Sequence, residues 1–400
     1  GWRTRNLFKG GEEFDLNFNG GIEFQTGIVD AGRSQTYEIG GELGLKFPRF
    51  LLPFNTEGLL PKRMLPNSRV SLYFSRVLRF EFDRETFGGR LTYNWRESSK
   101  KKYSVDFYDI SYSQLFEKDN DFIASLDTFQ QSAFSPALIT AFRLNFTYNQ
   151  QADQSKKNHN FFKGVFEMAG TSLSFFESNF SEPTENDRGV NLIGGVPYYQ
   201  YVKIETDYRY YWNFVPGISW VNRFYAATIR PYGNSIAVED GIEKREAPFQ
   251  KYLFIGGAND LRAWTSYRLG AGTTNGTNYD DEGNQDNNFA IGTIKILLNS
   301  EFRFPLFSFF QGAIFVDAGN IWLNGGLENE DTDFIIGDVL NQFAIGTGFG
   351  LRMDFDYFVV RFDLGIKVRD PGRIELGDPW VLDNRPFQNN TFNFALGYPF

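Results

Sequence analysis

The chain has 400 residues, a formal net charge of −9 and no cysteine. The acidic balance argues against nucleic acid as the main partner, which calls for a basic stripe. The missing cysteines remove disulfides, thiolate metal sites and cysteine nucleophiles.

No run approaches the roughly 18 apolar residues of a membrane helix, yet aromatics make up 18% of the chain, with 45 Phe and 20 Tyr. Such aromatic content at a mean hydropathy of −0.37 suits a transmembrane β-barrel. Lipid-facing and lumen-facing residues alternate there, so the average conceals the apolar band. The alternative is a soluble all-β protein.

Taken in order, Gly1-Trp2-Arg3-Thr4-Arg5 has no apolar core behind its charges, so no signal peptide opens the chain and a longer precursor is expected. Residues 14–25 and 36–47 alternate and form a hairpin. Residues 48–68 hold Pro48, Pro53, Pro61 and Pro66 and form a connection rather than a wall strand. Strands are expected at 69–79, 83–97, 102–115, 139–150 and 159–170, with a short helix or lumenal loop at 116–138 and a loop at 171–196.

The alternation is cleanest from 197: Val202, Ile204, Thr206, Tyr208, Tyr210, Trp212 and Phe214 fall on one face and Lys203, Glu205, Asp207, Arg209 and Asn213 on the other. An aliphatic and aromatic face of this length is what a lipid-facing wall requires. Further strands are expected at 220–232, 289–304, 342–356 and 357–369. Their length exceeds the usual globular strand of about 5–6 residues and matches a tilted membrane crossing of about 9–11 plus overhang. Short connections near 98–101, 215–219, 305–307 and 354–357 alternate with long ones near 116–138, 171–196, 234–288, 323–341 and 370–390. That asymmetry is the one expected of short periplasmic turns and long outer loops. The last strand carries Phe392, Phe394, Leu396, Tyr398 and Phe400 on one face and ends on that aromatic.

One stretch breaks the pattern. Within 234–288, Gly256-Gly257-Ala258-Asn259-Asp260-Leu261-Arg262-Ala263-Trp264 is poor strand material. Its lone Arg262 needs anionic partners, and the best candidates are Glu301 and Asp317 on the next two strands. By alternation Glu301 faces the lumen, and Asp317 shares a face with Gln311, Ala313, Phe315 and Gly319 while Ile314 and Val316 face out. A guanidinium can fork to both carboxylates with charge-assisted bonds. Small residues at Gly346, Gly348 and Gly350 on the inward face leave room for something inside the barrel.

These residues resemble the BamA/TamA superfamily of outer-membrane assembly factors, also called the bacterial surface antigen family. Gly256–Trp264, followed by Leu269-Gly270, resembles the family's sixth-loop motif. Phe315-Val316-Asp317-Ala318-Gly319-Asn320-Ile321-Trp322 resembles its thirteenth-strand motif, and Glu301 sits where a family glutamate sits on the twelfth strand. With Tyr398-Pro399-Phe400 the match is nearest the TamA-like branch, including the Bacteroidetes form TamL.

The resemblance implies an all-β antiparallel barrel of about sixteen strands with the sixth loop folded into or over the lumen and locked by Arg262, Glu301, Asp317, Gly256, Gly257 and Gly319. Residues 391–400 are then a lateral seam and terminal signal. Counting back, 220–232 is strand eleven and 14–25 strand three, so 1–400 is expected to be one barrel domain lacking the first strand and the preceding POTRA domains. The family has Gly after the loop arginine; here it is Ala263, so an ordinary backbone is expected there.

The implied partners are outer-membrane lipids, client outer-membrane or surface proteins that pair with an exposed strand edge, and periplasmic or accessory subunits. Competing readings are a passive porin and a two-partner secretion transporter. Enzyme chemistry is not expected. The one histidine, His159, lies in a polar turn, and the acidic loops at 280–286 and 328–333 lack EF-hand spacing. No cofactor is expected.

Overall fold

In a computed structural model of the chain, all residues are described except 26–34, 54–60, 80–81, 119–134, 153–156, 181–183, 240, 275–289, 324–331, 356–358, 375–376, 383–389 and 398–399. The alternating segments become strands: β1 (Trp2–Arg5), β2 (Glu13–Gln25), β3 (Gln35–Phe47), β4 (Asn67–Leu78), β5 (Phe82–Arg96), β6 (Lys101–Lys118), β7 (Ala137–Asn149) and β8 (His159–Ala169). A helix α1 (Thr171–Phe180) and three short strands β9 (Thr184–Glu185), β10 (Asn191–Ile193) and β11 (Val196–Pro197) follow. Then come β12 (Tyr201–Val215), β13 (Ile218–Pro231), β14 (Ile236–Glu239), β15 (Ile242–Arg245), β16 (Ile294–Phe307), β17 (Phe310–Trp322), β18 (Ala344–Asp354), β19 (Val359–Arg369) and β20 (Thr391–Leu396).

Fifteen of these strands form one sheet, in the order β1-β2-β20-β19-β18-β17-β16-β13-β12-β8-β7-β6-β5-β4-β3, and β2 also pairs with β3. All the ladders of this sheet are antiparallel, and the chain walks round the wall from neighbour to neighbour. The sheet returns on itself at β2. Its one edge is taken by β3 along its length, from Glu13↔Lys46 to Phe24↔Gln35. Its other edge is shared: β1 takes Glu13 to Leu16, and β20 takes Phe24 and Gln25.

The period of two sorts the side chains. Ile204, Tyr208, Trp212, Trp220, Phe224, Leu298, Phe302, Ile314, Val316, Phe349 and Phe392 are exposed on the outside. Charged residues turn inward and pair across strands. Arg69 bonds Asp15 at 2.6 Å and Glu42 at 2.8 Å, Arg143 bonds Glu167 at 2.6 Å, and Asp207 receives Arg209 at 2.6 Å and Arg223 at 3.1 Å. Apolar residues from 247–274 fill the interior between these ladders. Ala247, Phe249, Tyr252 and Tyr267 pack on Tyr201 and Ile139, while Ile255, Leu261, Ala263, Trp264 and Leu269 pack on Leu297, Ile321 and Ala344.

Four expectations need correction. Residues 171–196 are not simply loop: they hold α1 and the β9–β10–β11 sheet, because Leu173, Phe176 and Phe180 supply a helical period that the Ser and Asn content masks. The long segment 234–288 contains a β14–β15 hairpin. The short turn expected near 305–307 falls at Ser308-Phe309 instead. β16 runs through Pro305, whose missing N–H is absorbed where the register shifts between Pro305 and Phe307. Phe400 does not share the outer face of Phe392 and Leu396. β20 ends at Leu396, Gly397 takes φ +89°, and Phe400 is buried inside. Tyr398, Pro399, most of 116–138 and the acidic stretch 280–286 lie outside the described residues.

Candidate functional site: the loop tip and the seam

The loop tip begins with two glycines in the left-handed region, Gly256 at φ +100° and Gly257 at +95°. A side chain at Gly256 would run into the Thr265 and Trp264 carbonyls, so the turn requires glycine. Gly257 N–H donates to the Trp264 carbonyl at 2.8 Å, Asp260 N–H to Gly257 at 3.1 Å, and Trp264 N–H to Leu261 at 3.1 Å. The tip is thus a closed miniature loop with Arg262 at its end.

Arg262 is fully buried. Its Nε donates to Asp317 Oδ2 at 2.9 Å and its Nη2 to Oδ1 at 2.8 Å, a bidentate fork. Its backbone N–H reaches the same carboxylate at 3.1 Å, and its Nη1 bonds Glu301. The guanidinium also lies 3.5 Å from the centre of the Phe315 ring. The structure therefore brings Arg262, Glu301 and Asp317 together in the lumen.

Four further charged residues, from β16, β18 and β19, join them. Arg303 Nε donates to Glu301 at 2.7 Å and Arg352 Nη2 at 3.1 Å. Arg352 Nη1 donates to Asp363 at 2.6 Å, and Arg361 lies 3.3 Å from the same carboxylate. Glu301, Asp317, Arg352, Arg361 and Asp363 are all fully buried. Charges so far from water persist only when paired, and here the pairing runs across β16, β17, β18 and β19 to the loop. Arg361 reaches the loop directly, donating to Asn259 Oδ1 at 2.7 Å. Asn299 bridges Asp260 O and Asp317 Oδ1, both at 2.8 Å, and Lys295 bonds Asp260.

The wall is shaped to receive the tip. A Cβ at Gly346 would stand 2.6 Å from the Ala263 methyl, and one at Gly365 would stand 2.7 Å from Ala263 Cα and nearer still to the Arg262 carbonyl. Gly346 belongs to the glycines expected to make room inside; Gly365 was not foreseen. Ala263 is fully buried and is not among the described positive-φ residues. Gly319 lies against the backbone of Ile296 and Leu297 and the Ile255 side chain.

The closing strand touches the tip as well. Asn393 Nδ2 donates to the Arg262 carbonyl and Thr391 Oγ1 to the Ala263 carbonyl, each at 2.9 Å. The Phe400 ring stands 5.9 Å from the Arg262 guanidinium and 5.7 Å from that of Arg303. Phe392 and Leu396 face outward, and Phe394 is half-buried between.

Among the described residues β20 meets β2 at two positions, Phe24↔Phe394 and Gln25↔Asn393, against six with β19. Among the described residues of β1 and β20, none pairs with residues 17–23 of β2. A cavity of about 440 Å³ opens there, lined by Gly20 and Gly21 of β2, Phe394, Ala395 and Leu396 of β20, and Gly256 to Asp260 of the loop.

Among the described residues no cluster of acidic and histidine side chains could hold a metal. His159 stacks on Tyr211 at 4.4 Å.

A family model described as the Omp85 superfamily domain matches residues 6–400. The fold is similar to that of BamA from Haemophilus ducreyi lacking POTRA domains 1–3, with 13% identity over 95% of this chain and 70% of that chain and a TM-score of 0.58. It is also similar to CdiB from Escherichia coli, with 12% identity, 99% of this chain, 58% of that chain and a TM-score of 0.50. At these identities the likeness is one of fold. No curated protein matches the chain.

Proposed function

The chain belongs to the Omp85 superfamily of outer-membrane β-barrels for protein assembly or secretion, and from that premise we propose that it inserts or exports client proteins through the β2–β20 seam. The reading is carried by one observation: the loop tip that Arg262 pins to Asp317 inside the barrel also bonds the terminal strand β20, through Asn393 and Thr391. A strand edge exposed beside β20 is a template for another strand, and a client strand adding there undergoes β-augmentation. The step is non-covalent, so no catalytic residue or cofactor is assigned. The loop tip holds β20 through Asn393 and Thr391, and Arg262 holds the tip. The apolar plug in the lumen supports this reading over a passive porin.

The finer assignment rests on Gly256–Trp264, Phe315–Trp322 and the Tyr398-Pro399-Phe400 end. On these residues we place the chain nearest the TamL branch of Bacteroidetes, with surface proteins as clients and with periplasmic or accessory subunits alongside the lipid.

A disulfide across the seam tests the mechanism. The chain has no cysteine, so Phe24→Cys with Phe394→Cys introduces one pair at Cα partners. Oxidation is expected to lower client assembly into vesicles at least about tenfold and reduction to restore it. Equal activity in both states would refute lateral opening. In planar bilayers a large, steady single-channel conductance would favour the porin; small, flickering conductance fits the seam.

A further inference from the structure

The helix α1 sits on the outside of the wall, not inside it. On β7, Ile139 and Ala141 face the lumenal cluster, so Thr140 between them faces out. Yet Thr140 is only 3% exposed. What covers it is the start of α1: Ser172 Oγ lies 3.1 Å from Thr140 Oγ1 and 3.5 Å from the hydroxyl of Tyr108, itself an exposed residue of the outer face.

The height of this contact follows from strand geometry. Outer ring contacts Trp95–Tyr103 at 5.1 Å, Tyr103–Phe146 at 5.0 Å and Phe146–Phe162 at 6.0 Å trace an aromatic girdle at the short-turn end. From Phe162 to Met168, the last outward residue of β8, is a rise of about 15 Å at about 3.3 Å per residue and about 40° of tilt. The lipid-facing band of such barrels is about 25 Å tall. The wall at β8 thus stops well below the top of the band, and α1 begins there.

The helix surface matches that position. Its sequence, TSLSFFESNF, has one charged residue, and that residue, Glu177, is turned inward and buried. It accepts from the Tyr198 hydroxyl at 2.6 Å and Asn191 Nδ2 at 2.9 Å. Outward stand Phe175, Phe176 and Phe180, which are 65%, 52% and 72% exposed. In water such a patch carries a penalty, whereas aromatic rings are favoured at a membrane interface.

We propose that α1 is a membrane-interface helix: Phe175, Phe176 and Phe180 enter the leaflet on the long-loop side and complete the lipid-facing band above β7 and β8. The partner is the lipid surface itself, continuous with the outer face at Tyr108.

The test uses single cysteines carrying a nitroxide, with the chain refolded into phosphatidylcholine vesicles. Positions Phe175→Cys, Phe176→Cys and Phe180→Cys are compared with Leu144→Cys on the outer wall and Glu97→Cys in a short turn. Collision with oxygen, which concentrates in lipid, and with a water-soluble nickel chelate is read by power saturation. The helix labels are expected to follow Leu144→Cys, with high oxygen and low nickel accessibility. Profiles like Glu97→Cys would overturn the proposal, as would low accessibility to both reagents, which means cover by protein. An aqueous profile at Leu144→Cys would sink the membrane barrel and this proposal with it, so the two failures are distinguishable.

Discussion

Replacing Arg262 by Met keeps the volume and flexibility of the side chain and removes its charge and donors. Asp317 then loses the Nε and Nη2 bonds of 2.9 and 2.8 Å and keeps only the backbone N–H at 3.1 Å and Asn299 at 2.8 Å. Glu301 suffers less, because Arg303 at 2.7 Å and Arg352 at 3.1 Å remain. Taking one partner from a buried ion pair costs about 3–5 kcal/mol. At about 1.4 kcal/mol per tenfold, the ratio of docked to released loop falls by about two to three and a half decades. Limited proteolysis of the folded barrel reads that ratio directly when opening and closing outpace cleavage, so the loop should be cut at least about a hundredfold faster. The double variant Arg262→Met with Asp317→Asn should regain much of the loss, because both charges leave together. A cleavage rate within about twofold of the parent, or a double variant as labile as the single one, would refute the lock.

The other predictions concern what surrounds it. Gly365→Val drives a side chain into the Arg262 carbonyl and Ala263 Cα; it should weaken loop docking by about 1–3 kcal/mol, seen as faster loop proteolysis with unchanged β circular dichroism. Thr391→Val with Asn393→Leu strips the donors from the buried Arg262 and Ala263 carbonyls. At about 1–3 kcal/mol for each unsatisfied group, amide exchange in β20 should accelerate while that in β17 stays as it was. Glu167 gathers Lys251 at 2.6 Å, Arg143 at 2.6 Å and the Tyr201 hydroxyl at 2.6 Å. Glu167→Gln should therefore free the 247–252 end of the plug, and a spin label at Gln250→Cys should gain mobility while one at Ala258→Cys does not.

Much of the wall could be read from the alternation, because a period of two reports directly which side of a sheet a residue faces. Asp317 facing inward while Ile314 and Val316 face outward is such a case. The Arg262–Glu301–Asp317 grouping was readable because a lone cation among strands needs anions and few were near in sequence. Arg352, Arg361 and Asp363 were also readable as inward, but the alternation says nothing of height along the strand. Their meeting with Glu301 depends on the stagger of β16 through β19. Thr391 and Asn393 lie more than a hundred residues from the carbonyls they bond, and they arrive there because β20 pairs with β19, whose Gly365 abuts the tip. Phe400 misled because the alternation was carried past Gly397, where a positive φ ends the strand.

The lumenal lock also makes one mechanical unit of distant parts of the chain. Asn259, Asp260 and Arg262 of the loop bond side chains of β19, β16 and β17, and the Arg262 and Ala263 carbonyls bond β20. A pull on the tip is therefore shared among four staves at once, as a hub shares its load among spokes.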